Sequence, residues 1–179
     1  MIVGITGLKR SGKDTLAGCF VERGWKRYAL ADPIKEACKV LFDWNSARIE
    51  EMKEVTDERW GISPRRAMQV IGTEVFRRAL PDMIPGFIDG FWIERMRAEY
   101  LLDCRMVVPD VRFPDEAQAI RDLGGKIIRV YRPGSKRDPH PSEAMVDSIE
   151  YDHAIANAGD LRELLLTGKK LAAMIEGAV

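Results

Sequence analysis

The chain has 179 residues, of which 46% are hydrophobic and 31% are charged, a balance typical of a globular domain with a sizeable core. Lys plus Arg equals Asp plus Glu at 28 each, which argues against a general nucleic-acid binder. Because the first segment is apolar for only a few residues and then turns basic, we expect no signal peptide, and no stretch reaches the roughly 18 apolar residues of a membrane span. Cys19, Cys38 and Cys104 form no C-x-x-C pair, so we expect reduced thiols in a cytoplasmic protein.

Strands alternate with helices along the chain. The pattern predicts strands at residues 1–6, 25–31, 105–109, 126–131 and 152–156. It predicts helices at 13–23, 33–42, 45–54, 64–78, 89–101 and 114–123, and a last helix after Gly159. Such alternation predicts an α/β fold with a parallel sheet covered on both faces. The helical stretch between the second and third strands is an insertion in that core.

A phosphate-binding loop follows the first strand directly. Residues 7–15, GLKRSGKDT, fit the pattern G-x-x-x-x-G-K through Lys13. Gly7 and Gly12 let the backbone approach phosphate oxygens, and the loop N–H groups face the anion together with the next helix N-terminus. Lys13 is expected to meet the β- and γ-phosphates. The residues assigned to the phosphates of a nucleoside triphosphate are Gly7, Lys9, Arg10, Ser11, Gly12, Lys13, Asp14 and Thr15.

Asp14 stands where this loop usually has Ser or Thr, whose hydroxyl ligates Mg²⁺. A carboxylate can bind Mg²⁺ directly or through its waters, and a first helical turn stabilises negative charge. The alternative is that Asp14 only caps the helix, while Thr15 or water serves the metal.

Four further segments accompany the phosphate loop. The five segments are KRSGKDTLA at 9–17, ADPIKE at 31–36, PRRAMQVIGTE at 64–74, VPDVRFPDEA at 108–117 and HPSE at 140–143. In this order they resemble the phage-type deoxynucleoside monophosphate kinases over most of the chain. The loop alone also resembles phosphomevalonate and dephospho-coenzyme A kinases.

This resemblance implies transfer of the ATP γ-phosphate to a deoxynucleoside monophosphate, with Mg²⁺ as cofactor. It implies a P-loop nucleoside monophosphate kinase-like fold, a five-stranded parallel sheet in the order 2-3-1-4-5. The single domain would comprise a core at 1–32 and 102–179, a helical acceptor-binding insertion at 33–101 and a lid at 132–143. The expected partners are ATP and the monophosphate, with neither nucleic acid nor a membrane, and a homodimer stays an open alternative. A phage-encoded chain would act in the host cytoplasm.

Catalytic residues are expected after the third and fourth strands. Asp110 ends a strand, where ligands gather in an α/β sheet, and it would bind Mg²⁺ or orient the acceptor; otherwise it is a turn residue. Arg112 offers a bidentate fork for a phosphate; otherwise it forms a surface salt bridge. Arg132 and Arg137, near Arg129 and Lys136, are candidates for closing over the phosphates, with a basic solvated loop as the alternative.

The acceptor is expected to use the inserted region. A monophosphate needs a cation and a base needs donors or acceptors, and the candidates are Asp32, Lys35, Arg65, Arg66, Gln69 and Trp92. Arg65 and Gln69 share a helix face, whereas Arg66 points about 100° away. A solvated helix face is the alternative for the polar residues, and core packing is the alternative for Trp92. Asn157 and Gly159 are expected to shape the ATP base pocket mainly through backbone, with a plain turn as the alternative.

Three rival functions share these features. Another small-metabolite kinase would use the same core, a nucleotide-dependent switch would need no acceptor, and a nucleic-acid end kinase fits poorly with the neutral charge. The arginines of the insertion argue against a bare switch, because a switch needs no second anion pocket.

Overall fold

The computed structural model describes residues 1–101, 105–135 and 144–177. The chain forms two compact units, Met1–Ala29 with Met96–Val179, and Leu30–Arg95. Cys19 and Cys38 are free and buried, and burial raises the pKa of the Cys38 thiol to about 11, whereas Cys104 lies outside the described residues. Within the described ranges, no helix is both long and apolar enough to cross a bilayer.

The first unit contains a five-stranded sheet. Its strands are β1 (Ile2–Thr6), β2 (Lys26–Arg27), β3 (Met106–Val111), β4 (Lys126–Tyr131) and β5 (His153–Ala156). They pair in the order β2-β3-β1-β4-β5, and every pairing is parallel. The predicted fold class and strand order are confirmed.

Helices connect these strands. They are α1 (Lys13–Val21), α2 (Asp32–Phe42), α3 (Ser46–Glu50), α4 (Pro64–Gln69), α5 (Leu80–Met83), α6 (Phe91–Leu101), α7 (Pro114–Asp122) and α8 (Leu161–Gly177). A π-helical segment spans Val70–Ala79, and a 3-10 turn spans Met145–Ser148.

The two faces of β1 are covered by different helices. Val3 and Ile5 belong to a buried cluster that includes Phe20 of α1 and Leu164 of α8. Gly4 points to the other face, where a Cβ would come within 2.7 Å of the Ile120 side chain of α7. This alternation follows from the two-residue period of a strand, and it brings both layers of helices against the strand that leads into the phosphate loop.

Two predicted strand bounds were wrong. The second strand was expected at 25–31, but β2 covers only Lys26–Arg27, the two residues that pair with β3, and Ala31 already has the helical dihedrals of the α2 N-cap. The third strand was expected to stop at Pro109, but β3 continues to Val111, so Asp110 lies within the strand.

The second unit is helical, and two of its predicted helices differ from the structure. The helix expected at 45–54 stops at Glu50 after a start capped by Asn45, whose side chain accepts from Arg48 N. The helix expected at 64–78 begins as α4 and changes to π-helix at Val70. Inside this segment the Gly72 carbonyl accepts a buried hydrogen bond of 3.0 Å from Trp92 Nε1, so an indole donor stabilises the wider turn, a rare conformation in proteins.

Glu176 of α8 forms hydrogen bonds and an ion pair with residues just before β2 and β3. Its carboxylate accepts from Trp25 Nε1 at 2.7 Å and from Arg23 Nε at 2.8 Å, and Arg105 lies 3.6 Å away. Hydrogen bonds from Arg23 and Trp25 lower the pKa of Glu176 below its ordinary 4.5.

We expect E176Q to lower the Tm at pH 7 by about 3 °C, because a charge-assisted bond is lost in a chain of this size. Because the pKa of Glu176 is lower in the folded protein than in the unfolded chain, its ionised form stabilises the fold at pH values above the unfolded pKa. This stabilisation is lost as the pH falls through the pKa of the folded protein. The difference in Tm between wild type and E176Q should therefore shrink between pH 5 and about pH 3. The exposed Glu22, paired with Lys169 at 2.8 Å, gives the control E22Q, and an equal response of E22Q would contradict the assignment.

Candidate active site

The phosphate loop joins β1 to α1 with a backbone that requires glycine at two positions. Gly7 has φ +148° and Gly12 has φ +104°, a region that L side chains rarely adopt. A Cβ on Gly7 would lie 2.3 Å from the Val130 carbonyl oxygen of β4. The loop therefore packs directly against the neighbouring strand, with no room for a side chain at Gly7.

Lys13 is the first residue of α1 and is almost completely buried, with 8% exposed. Its Nζ donates 2.7 Å hydrogen bonds to the carbonyls of Gly7 and Leu8. The Lys13 ammonium therefore lies against the phosphate loop, where it adds positive charge to the N-terminus of α1.

Two hydroxyls beside the loop are buried without a hydrogen-bond partner in the described part of the chain, Thr6 Oγ1 and Ser11 Oγ. Leaving such a group unsatisfied costs about 1–3 kcal/mol. A Cβ on Gly7 would also come within 2.8 Å of Ser11 Oγ, so this hydroxyl lies beside the first glycine of the loop. Phosphate oxygens are acceptors that would satisfy such donors, and the loop fits a triphosphate in this respect.

Asn157 forms hydrogen bonds both to the end of β4 and to the phosphate loop. Its backbone N–H donates to Tyr131 O at 2.7 Å, and its buried Nδ2 donates to Ser11 O at 2.8 Å. The sequence predicted a role for Asn157 mainly through backbone, and its side-chain bond to the loop was missed. A cavity of about 210 Å³ lies beside it, lined by Asn157, the exposed Gly159 and Thr167 among others.

Asp110 lies on the strand next to the phosphate loop, because Thr6 of β1 is paired with Val111 of β3. The register shifts between the pairs Gly4–Val108 and Thr6–Val111, so one extra residue of β3 bulges out of the ladder. Pro109 lies in this bulge, where its lack of an N–H does no harm. The half-buried Asp110 thus lies at the carboxyl edge of the sheet that also carries the loop.

Arg112 follows β3 and is half-buried. Its backbone N–H donates to Glu116 Oε2 at 2.8 Å, and Phe113 N–H donates to the same oxygen at 3.1 Å. Glu116 was not among the residues predicted from the sequence. The sequence does contain a pattern that would have predicted it. Glu116 is the third residue of a helix that begins with Pro114, and a carboxylate at this position commonly accepts hydrogen bonds from the backbone amides just before the helix.

Asp14 is 85% exposed, and its carboxylate lies 3.7 Å from the Arg27 guanidinium. The residue at the α1 N-cap is Gly12, which has no side chain to cap the helix. Arg27 was not predicted from the sequence either, although it is the last residue of β2 and lies at the same edge of the sheet.

The other loop residues differ in exposure. Lys9 and Thr15 are half-buried, and Arg10 is exposed with φ +61°.

The predicted lid residues are only partly described. Arg132 is exposed and begins a turn closed by a 3.2 Å bond from Ser135 N to Arg132 O. Arg137 lies outside the described residues. Arg129 donates from its guanidinium to Asp147 and to Val146 O, so it is engaged with the 3-10 turn.

The acceptor candidates all lie in the second unit. Lys35 pairs with Glu50 at 2.7 Å and lies 3.7 Å from Asp32. Arg65 pairs with Glu54 at 2.6 Å. On α4, Arg65 and Gln69 are half-buried whereas Arg66 is exposed.

Trp92 is buried, with 8% exposed. Its ring centroid lies 5.0 Å from that of Phe76 and 4.9 Å from that of Phe91. With its Nε1 bonded to Gly72, this environment favours core packing, the alternative to base stacking.

Across the described ranges, no three His, Cys, Asp or Glu side chains converge in a way that could hold a metal ion. Mg²⁺ commonly binds through one or two carboxylates together with substrate phosphates and waters. Asp14 and Asp110 are carboxylates of that kind near the loop, so the residues present fit a metal that arrives with a nucleotide.

The sheet order, the loop after β1 and the buried Lys13 define a P-loop nucleotide-binding fold. The family model described as deoxynucleotide monophosphate kinase matches residues 1–61 and 44–167. The chain belongs to this family.

Related proteins agree with the family match. A putative deoxynucleotide monophosphate kinase of Acanthamoeba polyphaga mimivirus is 37% identical, over 91% of this chain and 91% of its own. The deoxynucleotide monophosphate kinase of Enterobacteria phage T4 is 30% identical over 86% of this chain, which spans 58% of the T4 protein. The crystal structure of TT1252 from Thermus thermophilus aligns with a TM-score of 0.52 at 19% identity, over 100% of this chain and 98% of that one; this likeness concerns the fold alone.

Proposed function

We propose that this chain transfers the γ-phosphate of ATP to a deoxynucleoside monophosphate, giving ADP and a deoxynucleoside diphosphate. The observation that carries the proposal is the phosphate loop with its buried Lys13, beside the acidic end of β3, in a member of the deoxynucleotide monophosphate kinase family. An acceptor phosphate oxygen attacks the γ-phosphorus in line, and the bond from that phosphorus to the β–γ bridging oxygen breaks.

Lys13 and the loop amides hold the β- and γ-phosphates in this proposal. No covalent enzyme intermediate is needed, so positioning and charge neutralisation provide the catalysis. Asp110 orients the acceptor, and the Arg112 guanidinium binds the acceptor phosphate or the transferred group through its fork of donors. Arg132 and Arg137 add positive charge over the phosphates and exclude water.

Asp14 and Asp110 are the residues that would hold Mg²⁺, directly or through its waters. When bound with ATP, this ion neutralises phosphate charge and polarises the phosphoryl oxygens. The Arg27 guanidinium, 3.7 Å from Asp14, offsets the charge of the Asp14 carboxylate in the absence of a metal.

We assign acceptor recognition to the second unit. Lys35, Arg65 and Arg66 supply cations for a monophosphate, and Asp32 and Gln69 supply polar groups for the base or sugar. The paired Lys35 and Arg65 are already oriented by Glu50 and Glu54, which lowers the entropy lost when a ligand is bound. Asn157 and Gly159 border the pocket proposed for the ATP base.

The proposed partners are ATP and the monophosphate, without nucleic acid or membrane, and we place the protein in the cytoplasm. The free, buried Cys19 and Cys38 suit a reducing compartment. A phage-encoded chain would act in the cytoplasm of its host.

The experiment that tests the proposal is a coupled assay of ADP release with each deoxynucleoside monophosphate in turn. We expect turnover that requires both Mg²⁺ and an acceptor. Parallel reactions with phosphomevalonate, dephospho-coenzyme A and shikimate test the rival kinases, and a reaction without acceptor tests the nucleotide switch. Turnover with a rival substrate alone, or hydrolysis indifferent to monophosphates, would contradict the proposal.

We expect D14N to raise the Mg²⁺ concentration needed for half-maximal turnover about tenfold, because one carboxylate charge that attracts the metal is lost. ATP binding without Mg²⁺ should change by less than about twofold, since the loop backbone is intact. A Mg²⁺ titration of turnover, together with calorimetric ATP binding, separates the two effects.

The matched control is D160N, which removes a carboxylate at the start of another helix, where Asp160 Oδ1 accepts from Glu163 N. An unchanged Mg²⁺ titration in D14N would assign Asp14 to the electrostatics of the α1 N-terminus alone.

A further inference from the structure

Glu116 is a buried carboxylate to which the proposed chemistry assigns no role. It lies in the first turn of α7 and is 5% exposed. Its Oε2 accepts from Arg112 N at 2.8 Å and from Phe113 N at 3.1 Å. Burying an ionised carboxylate is costly unless hydrogen bonds compensate, and two backbone donors to one oxygen provide that compensation.

The position of Glu116 in the helix explains why it bonds to these amides. The residue before α7 is Phe113, which offers no side-chain oxygen as a cap, so the entry amides need an acceptor from elsewhere. Glu116 reaches back to supply it, and the α7 N-terminus favours its negative charge.

The turn held by Glu116 carries the residues proposed for catalysis. Asp110 lies in the β3 bulge, where the ladder with β1 is interrupted between Val108 and Val111. The strand therefore fixes the backbone only up to Val108, and the regular pairing resumes at Val111, one residue before Arg112. Glu116 binds the amide of Arg112 itself, so the carboxylate fixes the chain where β3 turns into α7.

We propose that Glu116 is a positioning residue for phosphoryl transfer. Its two backbone hydrogen bonds hold residues 112 and 113 in one conformation, directly after the bulge that carries Asp110, and this fixes how the Arg112 and Asp110 side chains are presented to the acceptor. The proposal rests on the proposed function, because it gives Glu116 a role through Asp110 and Arg112. Displacement of a positioned group by about 1 Å can lower a rate by about a hundredfold.

The test compares E116A, E116Q and I120V with the wild type. E116A should lower kcat about 10- to 100-fold, with the KM for ATP within about twofold, because the loop is untouched. E116Q keeps an acceptor oxygen and should retain kcat within about threefold of the wild type. Ile120 is fully buried on the same helix, so I120V lowers stability by about 0.5–1.5 kcal/mol without removing a polar contact and should keep its kcat.

Amide proton shifts of Arg112 and Phe113 give a second readout that needs no substrate. Both signals should move upfield in E116A, because their hydrogen bonds are lost, and stay near the wild-type positions in E116Q. Unchanged signals in E116A, an E116A kcat within twofold of the wild type, or an equal loss of kcat in I120V would each overturn the role of Glu116. A wild-type protein without acceptor-dependent turnover would instead contradict the proposed function, so the two failures are distinguishable.

Discussion

Replacement of Lys13 by methionine is expected to lower kcat by about a thousandfold, because the charge that develops on the transferred phosphoryl group loses the cation proposed to lie against it. Methionine keeps most of the side-chain volume at a position that is only 8% exposed, so the loop should retain its packing. Steady-state turnover with ATP and the preferred monophosphate measures the effect, and thermal unfolding checks the fold.

The control for Lys13 is K169M. Lys169 is an exposed lysine of α8 paired with Glu22, so its loss removes a positive charge away from the phosphate loop. K169M should keep kcat within about twofold, since surface ion pairs contribute little. Retention of a tenth or more of the wild-type kcat in K13M would show that the lysine is not the main cation of the transfer.

Replacement of Gly7 by alanine is expected to weaken ATP binding by about a hundredfold, equivalent to roughly 2.7 kcal/mol. The new Cβ would lie 2.3 Å from the Val130 carbonyl oxygen, with φ at +148°. Both the strand contact and the dihedral would have to change, which moves the loop amides away from the phosphates. Calorimetric titration with ATP measures the loss.

G24A separates steric displacement from backbone strain. Gly24 also has a positive φ, +84°, but nothing lies within 4 Å of a Cβ built there. G24A should therefore lose about 1–2 kcal/mol of stability while it binds ATP like the wild type. If G7A and G24A bound ATP equally well, the close contact between the loop and β4 would have no importance for binding.

The features predicted best from the sequence are those with a strong local pattern. A short apolar strand followed by two glycines and Lys13 leaves few conformations for residues 1–15, and the structure has the predicted β1, loop and α1 there. The strand order came from resemblance, because alternation of strands and helices predicts a parallel sheet without fixing the order of its strands.

The features that were missed depend on contacts between distant residues. The predicted length of β2 was wrong because this edge strand pairs with β3 only at Lys26 and Arg27, and no local pattern marks where that pairing stops. The π-helix after Gln69 is stabilised partly by Trp92, 20 residues away from Gly72, so an α-helical period was the natural prediction. The contact of Asn157 with Ser11 joins residues 146 positions apart, which one sequence cannot reveal.

The fate of the labelled γ-phosphate of ATP is the most direct test of the proposed reaction. In the presence of Mg²⁺ and a deoxynucleoside monophosphate, we predict that the label appears in the β-phosphate of the deoxynucleoside diphosphate, in a one-to-one ratio with ADP. Label that accumulates as inorganic phosphate at the same rate with and without the monophosphate would contradict the proposal.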